Sequence, residues 1–176
     1  METTTIMIST IATAISAVVA TATLVLAYLK YREKVKAEHA ERMFELFTAT
    51  RKDPNVVNFF EKIDYSENGW YGESFTHSES EPVVDNALLQ FEHILYLKAQ
   101  KLLNEEELSH YQYEIDKIVG NNDVQRYFFN LYHYTQRAKL PFKFTRLLEY
   151  GIAKQYIDKD FFNKDSNNYG KKVLNF

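Results

Sequence analysis

From Ile6 to Leu29 the chain carries no charged residue, and then Lys30, Arg32, Lys34 and Lys36 arrive within seven positions. As a helix rising 1.5 Å per residue, that uncharged stretch is about 36 Å long, enough to cross a hydrocarbon core about 30 Å thick with some tilt. Its polarity is confined to hydroxyls: Ser9, Thr10, Thr13, Ser16, Thr21 and Thr23. Each can donate to a carbonyl one turn back, so a helix would hide them from lipid. Two other readings compete. A cleaved signal peptide has the Ala20-Thr21-Ala22 site it would need, but not the basic start. A buried core helix is usually shorter and does not end in a basic cluster. The expectation is a membrane helix.

Basic residues orient it. The N-terminal flank offers only Glu2, and the C-terminal flank is rich in Lys and Arg. The positive-inside rule puts Met1 outside and everything after Leu29 in the cytoplasm. Ala12, Ser16 and Ala20 fall on one face, the spacing that lets two membrane helices approach closely.

Past residue 29 there is enough chain for one domain with a core, near neutral at −2 from a whole-chain −3. Near-neutrality argues against a dedicated nucleic-acid binder, and no nucleic-acid partner is expected. The absence of cysteine excludes thiol nucleophiles, disulfides and cysteine zinc sites. Five glycines and three prolines point to helices, and 13 Tyr with 13 Phe to an aromatic core. Charge is uneven: residues 61–92 hold eight acids against Lys62 alone, and residues 137–176 hold nine bases against four acids. The basic end, with Phe161, Phe162, Tyr169 and Phe176, is a candidate for touching an anionic leaflet, against the plainer reading of solvated surface.

The pattern along the chain is helical, with no period of two and no repeat. Nothing breaks residues 5–52, so the membrane helix is expected to continue as a stalk, burying a stripe of Val35, His39, Met43, Phe44 and Phe47. Asp53-Pro54 opens a second helix. Residues 65–80 read as a loop holding Trp70-Tyr71 between glycines, either a lid packed on the core or a partner contact. Pro82 opens a helix to about Leu103, with Leu102 on its buried side. Asn104 and Glu107 have capping-box spacing for the next, which stops at Gly120. Asn121 or Asn122 caps a helix that Pro141 ends and that is apolar nearly all round, with Tyr127, Phe128, Phe129, Tyr132 and Tyr134. A last amphipathic helix carries Phe144, Leu147, Leu148 and Ile152. The fold class is all-α: a short outer N-terminus (1–5), a transmembrane helix (6–29), a stalk (30–52), a cytoplasmic bundle of about five helices (53–157) and a loose tail (158–176).

Chemistry is sparse. The five histidines form no His-Glu-x-x-His or other metal spacing, and no metal or cofactor is expected. No Gly-x-Ser-x-Gly, Ser-x-x-Lys or glycine-rich phosphate loop is present. Glu92 and Arg137 are candidates for a buried pair that would fix register. Arg126 and His133, seven apart on one helix, resemble the Arg-x4–6-His motif of the all-helical HEPN ribonucleases, in which Arg and His act on the RNA phosphodiester across a dimer. Arg32 and His39 repeat the spacing in the stalk, where no active site is expected.

The words Leu89-Gln-Phe91-Glu92-His-Ile94, Leu102-Leu103-Asn-Glu-Glu-Glu-Leu108, Tyr127-Phe128-Phe129 and Arg137, in that order, resemble an uncharacterised family of bacterial proteins with one N-terminal membrane helix and a small cytoplasmic helical domain. The resemblance covers roughly residues 5–155. It implies an inner-membrane setting and brings no catalytic residue.

The expected function is a membrane-anchored, non-catalytic interaction module that binds a protein partner or itself as well as the bilayer. Its candidate contacts are Trp70, Tyr71, Tyr127, Phe129, Tyr132 and Tyr134, aromatics being the usual anchors of interfaces. The alternatives are a membrane-tethered ribonuclease or defence effector using Arg126 and His133, and a membrane-perturbing toxin.

Overall fold

A computed structural model describes residues 2–66, 69–72 and 74–163, with residues 2–14 described by backbone alone. Six helices and no strand occur among the described residues: α1 Glu2–Lys52, α2 Pro54–Tyr65, α3 Ser80–Ala99, α4 Glu105–Gly120, α5 Asn122–Ala138 and α6 Thr145–Ala153. They divide into two compact units, residues 1–48 and 49–176.

The first unit is helix alone. Every residue from Ile15 to Arg42 is exposed, including Ile15, Val18, Val19, Leu24, Val25 and Leu26. The described part, Ile15–Lys52, is long and apolar enough to cross a membrane, and nothing in its apolar window is buried. A core helix of a soluble protein passes the same length and composition test but is mostly buried, which this one is not. Thr21 Oγ1 donates to Ala17 O at 2.8 Å and Thr23 Oγ1 to Val19 O at 2.9 Å, so these hydroxyls are satisfied one turn back as expected. The side chains of Ser9, Thr10, Ala12 and Thr13 lie outside the described ones. The apolar stripe is buried less than expected: Val35 and His39 are exposed, Phe44 is 70% exposed, and only Met43 and Phe47 are half-buried.

The second unit is built from locally coded ends. Asp53 Oδ1 accepts from Asn55 N at 2.7 Å with Pro54 in the first turn of α2. Both halves of the capping box close at α4: Asn104 N donates to Glu107 Oε2 at 2.8 Å, and Glu107 N to Asn104 Oδ1 at 2.9 Å. Asn121 Oδ1 accepts from Asp123 N and Val124 N at the start of α5.

Two ends differ from expectation. α3 stops at Ala99, and Lys101 takes the left-handed conformation (φ 60°). That turn rotates the chain, so Leu103 is buried and Leu102 is 58% exposed. α5 stops at Ala138 because Lys139 is left-handed (φ 56°) and Leu140 N returns to Thr135 O at 2.8 Å, before Pro141 is reached.

α2 packs on α3, α4 packs on α3 and α5, and α6 sits against both α3 and α4. The interior is aromatic: Phe59, Phe91, Tyr127, Phe128, Phe129 and Phe144 are each fully buried. Each such side chain contributes about 1.5–3 kcal/mol by leaving water. The segment after α6 packs through Asn163, with Ile157 and Phe161 buried and Phe162 stacked on Tyr132 at a centroid distance of 3.5 Å. The rest of the expected tail, with Tyr169 and Phe176, lies outside the described residues.

Candidate interaction surfaces

The Trp70-Tyr71 loop is a lid, and one carboxylate holds it. Asp123 Oδ2 accepts from Trp70 N at 2.6 Å and from Tyr71 N at 3.4 Å. Asp123 Oδ1 accepts from Arg126 Nη1 at 3.2 Å, and the Arg126 guanidinium lies 5.7 Å from the Tyr71 ring centre. Gly69 makes the approach possible. It has φ +79°, and a Cβ there would lie 2.6 Å from Asp123 Oδ2. Trp70, Tyr71, Phe75 and Tyr127 then meet edge to face, at centroid distances from 5.2 to 6.5 Å.

Burial pushes the Tyr71 hydroxyl up to about 12, against the lowering effect of its hydrogen bond with Asn130 and of the Arg126 charge. Burial also raises Tyr127, helped by the adjacent Asp85 charge. Tyr127 therefore stays neutral and donates to Asp85 Oδ1, while the other Asp85 oxygen pairs with Lys143.

These contacts reassign the aromatics read as partner anchors. Tyr71, Tyr127 and Phe129 are interior, at 4%, 1% and 0% exposure, and form part of the core. Trp70 is half-buried in the lid, and its Nε1 is sealed from solvent with no acceptor among the described residues. Tyr132 is half-buried between Phe142 and Phe162, and Tyr134 alone is open. A helix that reads apolar all round is thus central here, and the sequence left that choice open.

Arg126 and His133 are brought to different neighbours. Arg126 turns to Asp123 and Tyr71, while the His133 ring contacts Phe129 at 4.5 Å, Tyr132 at 5.4 Å and Phe162 at 6.4 Å. None of these contacts joins the two. Arg137 is exposed, and Glu92 does not pair with it. Glu92 instead accepts from Arg146 N at 2.8 Å and Leu147 N at 2.9 Å. No group of three or more His, Asp or Glu that could hold a metal occurs among the described residues.

A groove of about 520 Å³ opens in the second unit between α2, α4 and the last turn of α1. Val56, Phe91, Tyr111 and Thr50 are buried at its base. Tyr65 and Tyr113 stand at its rim, 81% and 72% exposed, beside Val57. Its bases are already paired: Arg51 Nη2 lies 3.0 Å from Glu114 Oε1, and Lys117 bonds Asp64. That hydrogen bond raises Lys117, whose ammonium also sits 5.5 Å from the Tyr113 ring centre. Glu61 makes no ion pair among the described residues. Sequence reading missed this groove. The available signal was Tyr113, a large aromatic on the polar face of a helix whose buried side is Tyr111, Ile115 and Ile118.

Fold and surface together define an all-helical protein with one candidate membrane span at its N-terminal side. No protein-family model, curated protein or solved structure matches the chain.

Proposed function

We propose that this protein is a membrane-anchored, non-catalytic interaction module. Residues 6–29 span the inner membrane with the N-terminus outside, residues 30–52 form a stalk, and α2–α6 form a cytoplasmic helical bundle. The groove between α2 and α4 receives a protein segment with an aliphatic or aromatic anchor and a basic flank.

The observation that carries this reading is the groove itself: an apolar base, two exposed tyrosines at the rim and an excess of carboxylate once its ion pairs are counted. Exposed tyrosines over an apolar base have the composition of interface hot spots. A cationic segment also matches the acid-rich stretch 61–92.

The test uses the full chain in intact cells with a photo-crosslinker in place of Tyr113. The expected result is a discrete adduct that disappears with Glu61→Lys and persists with Tyr134→Ala, away from the groove. An adduct of twice the chain's mass identifies a second copy as the occupant and overturns a separate partner. No adduct from either Tyr113 or Tyr65 overturns the groove reading. The chain has no cysteine, so single cysteines at Thr4 and Ser109, probed with an impermeant maleimide, test orientation. Labelling of the Ser109 position in unbroken cells overturns it.

A further inference from the structure

We propose that Tyr28–Lys36 is a binding collar for anionic phospholipid headgroups, an inference that rests on the membrane-spanning reading above. Lys30, Arg32, Lys34 and Lys36 stand against Glu33 alone, a net +3 over two and a half turns. At 100° per residue, Lys30 and Lys34 share one face and Arg32 and Lys36 the opposite one. The positive charge therefore surrounds the helix and can meet lipids on every side.

All four bases are exposed, and Lys30, Arg32 and Lys36 have no carboxylate partner among the described residues. Lys34 shares Glu38 at 3.7 Å, with both side chains largely in solvent, so that pair holds it weakly. Tyr28 and Tyr31 are exposed beside the bases, the residue type that settles at headgroup level.

The charge then reverses along the helix. Residues 37–45 hold Glu38, Glu41 and Glu45 against Arg42. Measured from Leu29, the four bases and Glu33 lie within about 10 Å, and Glu38, Glu41 and Glu45 from about 13 Å outward. The Debye length at physiological salt is about 8 Å, so an anionic surface attracts Lys30 and Arg32 most and repels the outer acids progressively less. This vertical order fits an anionic bilayer face and sets the depth at which the helix sits.

The test places the full chain in vesicles of phosphatidylcholine and phosphatidylglycerol. Tyr31→Trp serves as a depth reporter, with the signal of the parent chain (Trp70 alone) subtracted. One arm brominates the phosphatidylglycerol and the other the phosphatidylcholine. The expected result is quenching by the anionic lipid as though it were enriched up to about fivefold around the helix, the effect of one engaged basic residue. That enrichment falls to random mixing in Lys30→Gln/Arg32→Gln/Lys34→Gln/Lys36→Gln and at high salt. Equal quenching per mole by the two lipids, or enrichment that survives the quadruple substitution, overturns the collar and leaves the span intact. Absence of quenching by either lipid overturns the span. Loss of enrichment in inorganic phosphate, beyond that in chloride of equal ionic strength, overturns a lipid as the ligand.

Discussion

Asp123 does the work of several residues. Its two oxygens take two backbone N–H groups from the lid and one guanidinium, while its own helix leaves it nearly buried. Removing the acceptor would leave the Trp70 and Tyr71 N–H groups to find water or stay unsatisfied, at about 1–3 kcal/mol each. The lid also contains the chain's sole tryptophan, so its position has a direct optical readout. Asp123→Ala and Gly69→Ala are both expected to lower stability, by about 2–4 and about 1–3 kcal/mol respectively. In each, Trp70 emission shifts to the red as the indole meets water. Denaturant titration of the solubilised full chain followed by that emission checks both. Unchanged emission in Asp123→Ala would mean that the edge-to-face ring contacts alone hold the lid. The sequence showed that the loop existed and that glycines bracketed its aromatics. It did not show the carboxylate, which lies more than 50 positions away.

Helix ends divide the same way. Asp53, Asn104 and Asn121 cap their helices through bonds to residues two or three positions on, so their spacing was readable along the chain. α6 has no such code. Phe144 precedes it without a side-chain cap, and Glu92 of α3 supplies both acceptors from 54 and 55 residues away. A carboxylate at a helix N-terminus is favourable, yet burial raises the Glu92 carboxyl above its ordinary 4.5 despite the two backbone N–H bonds, which act in the other direction. The folded state therefore holds this proton more tightly than the unfolded one. The stability linked to it is fully present below 4.5 and is lost as pH rises through the raised value. Glu92→Gln keeps an acceptor and removes the titration. Its stability is expected to be flat where that of the parent falls with pH, as read from denaturation midpoints at a series of pH values. A parent curve that rises through the same window would show that the helix terminus dominates over burial.

At the scale of the whole molecule, the two units differ in what they expose. The second unit buries Phe59, Phe91, Tyr127, Phe128, Phe129 and Phe144, and the first exposes Ile15, Val18, Val19, Leu24, Val25 and Leu26. Water gives no reason for that exposure, and lipid does. The span is not strongly apolar. The ten Ile, Val and Leu residues from Ile6 to Leu29 contribute about 3–6 kcal/mol of insertion free energy, while one arginine at the centre costs about 2.5–3.5 kcal/mol. Ala17, at the midpoint, is the position where that cost is greatest. Ala17→Arg is therefore expected to move much of the chain from the membrane pellet to the alkaline extract. Ala17→Leu, which adds apolar surface at the same site, stays in the pellet. Trp70 emission should not change in either, because the lid belongs to the second unit and its contacts are made there. If the parent chain itself washes out at alkaline pH, or if Ala17→Arg is retained as firmly as the parent, the exposed face of α1 is covered by protein and not by lipid.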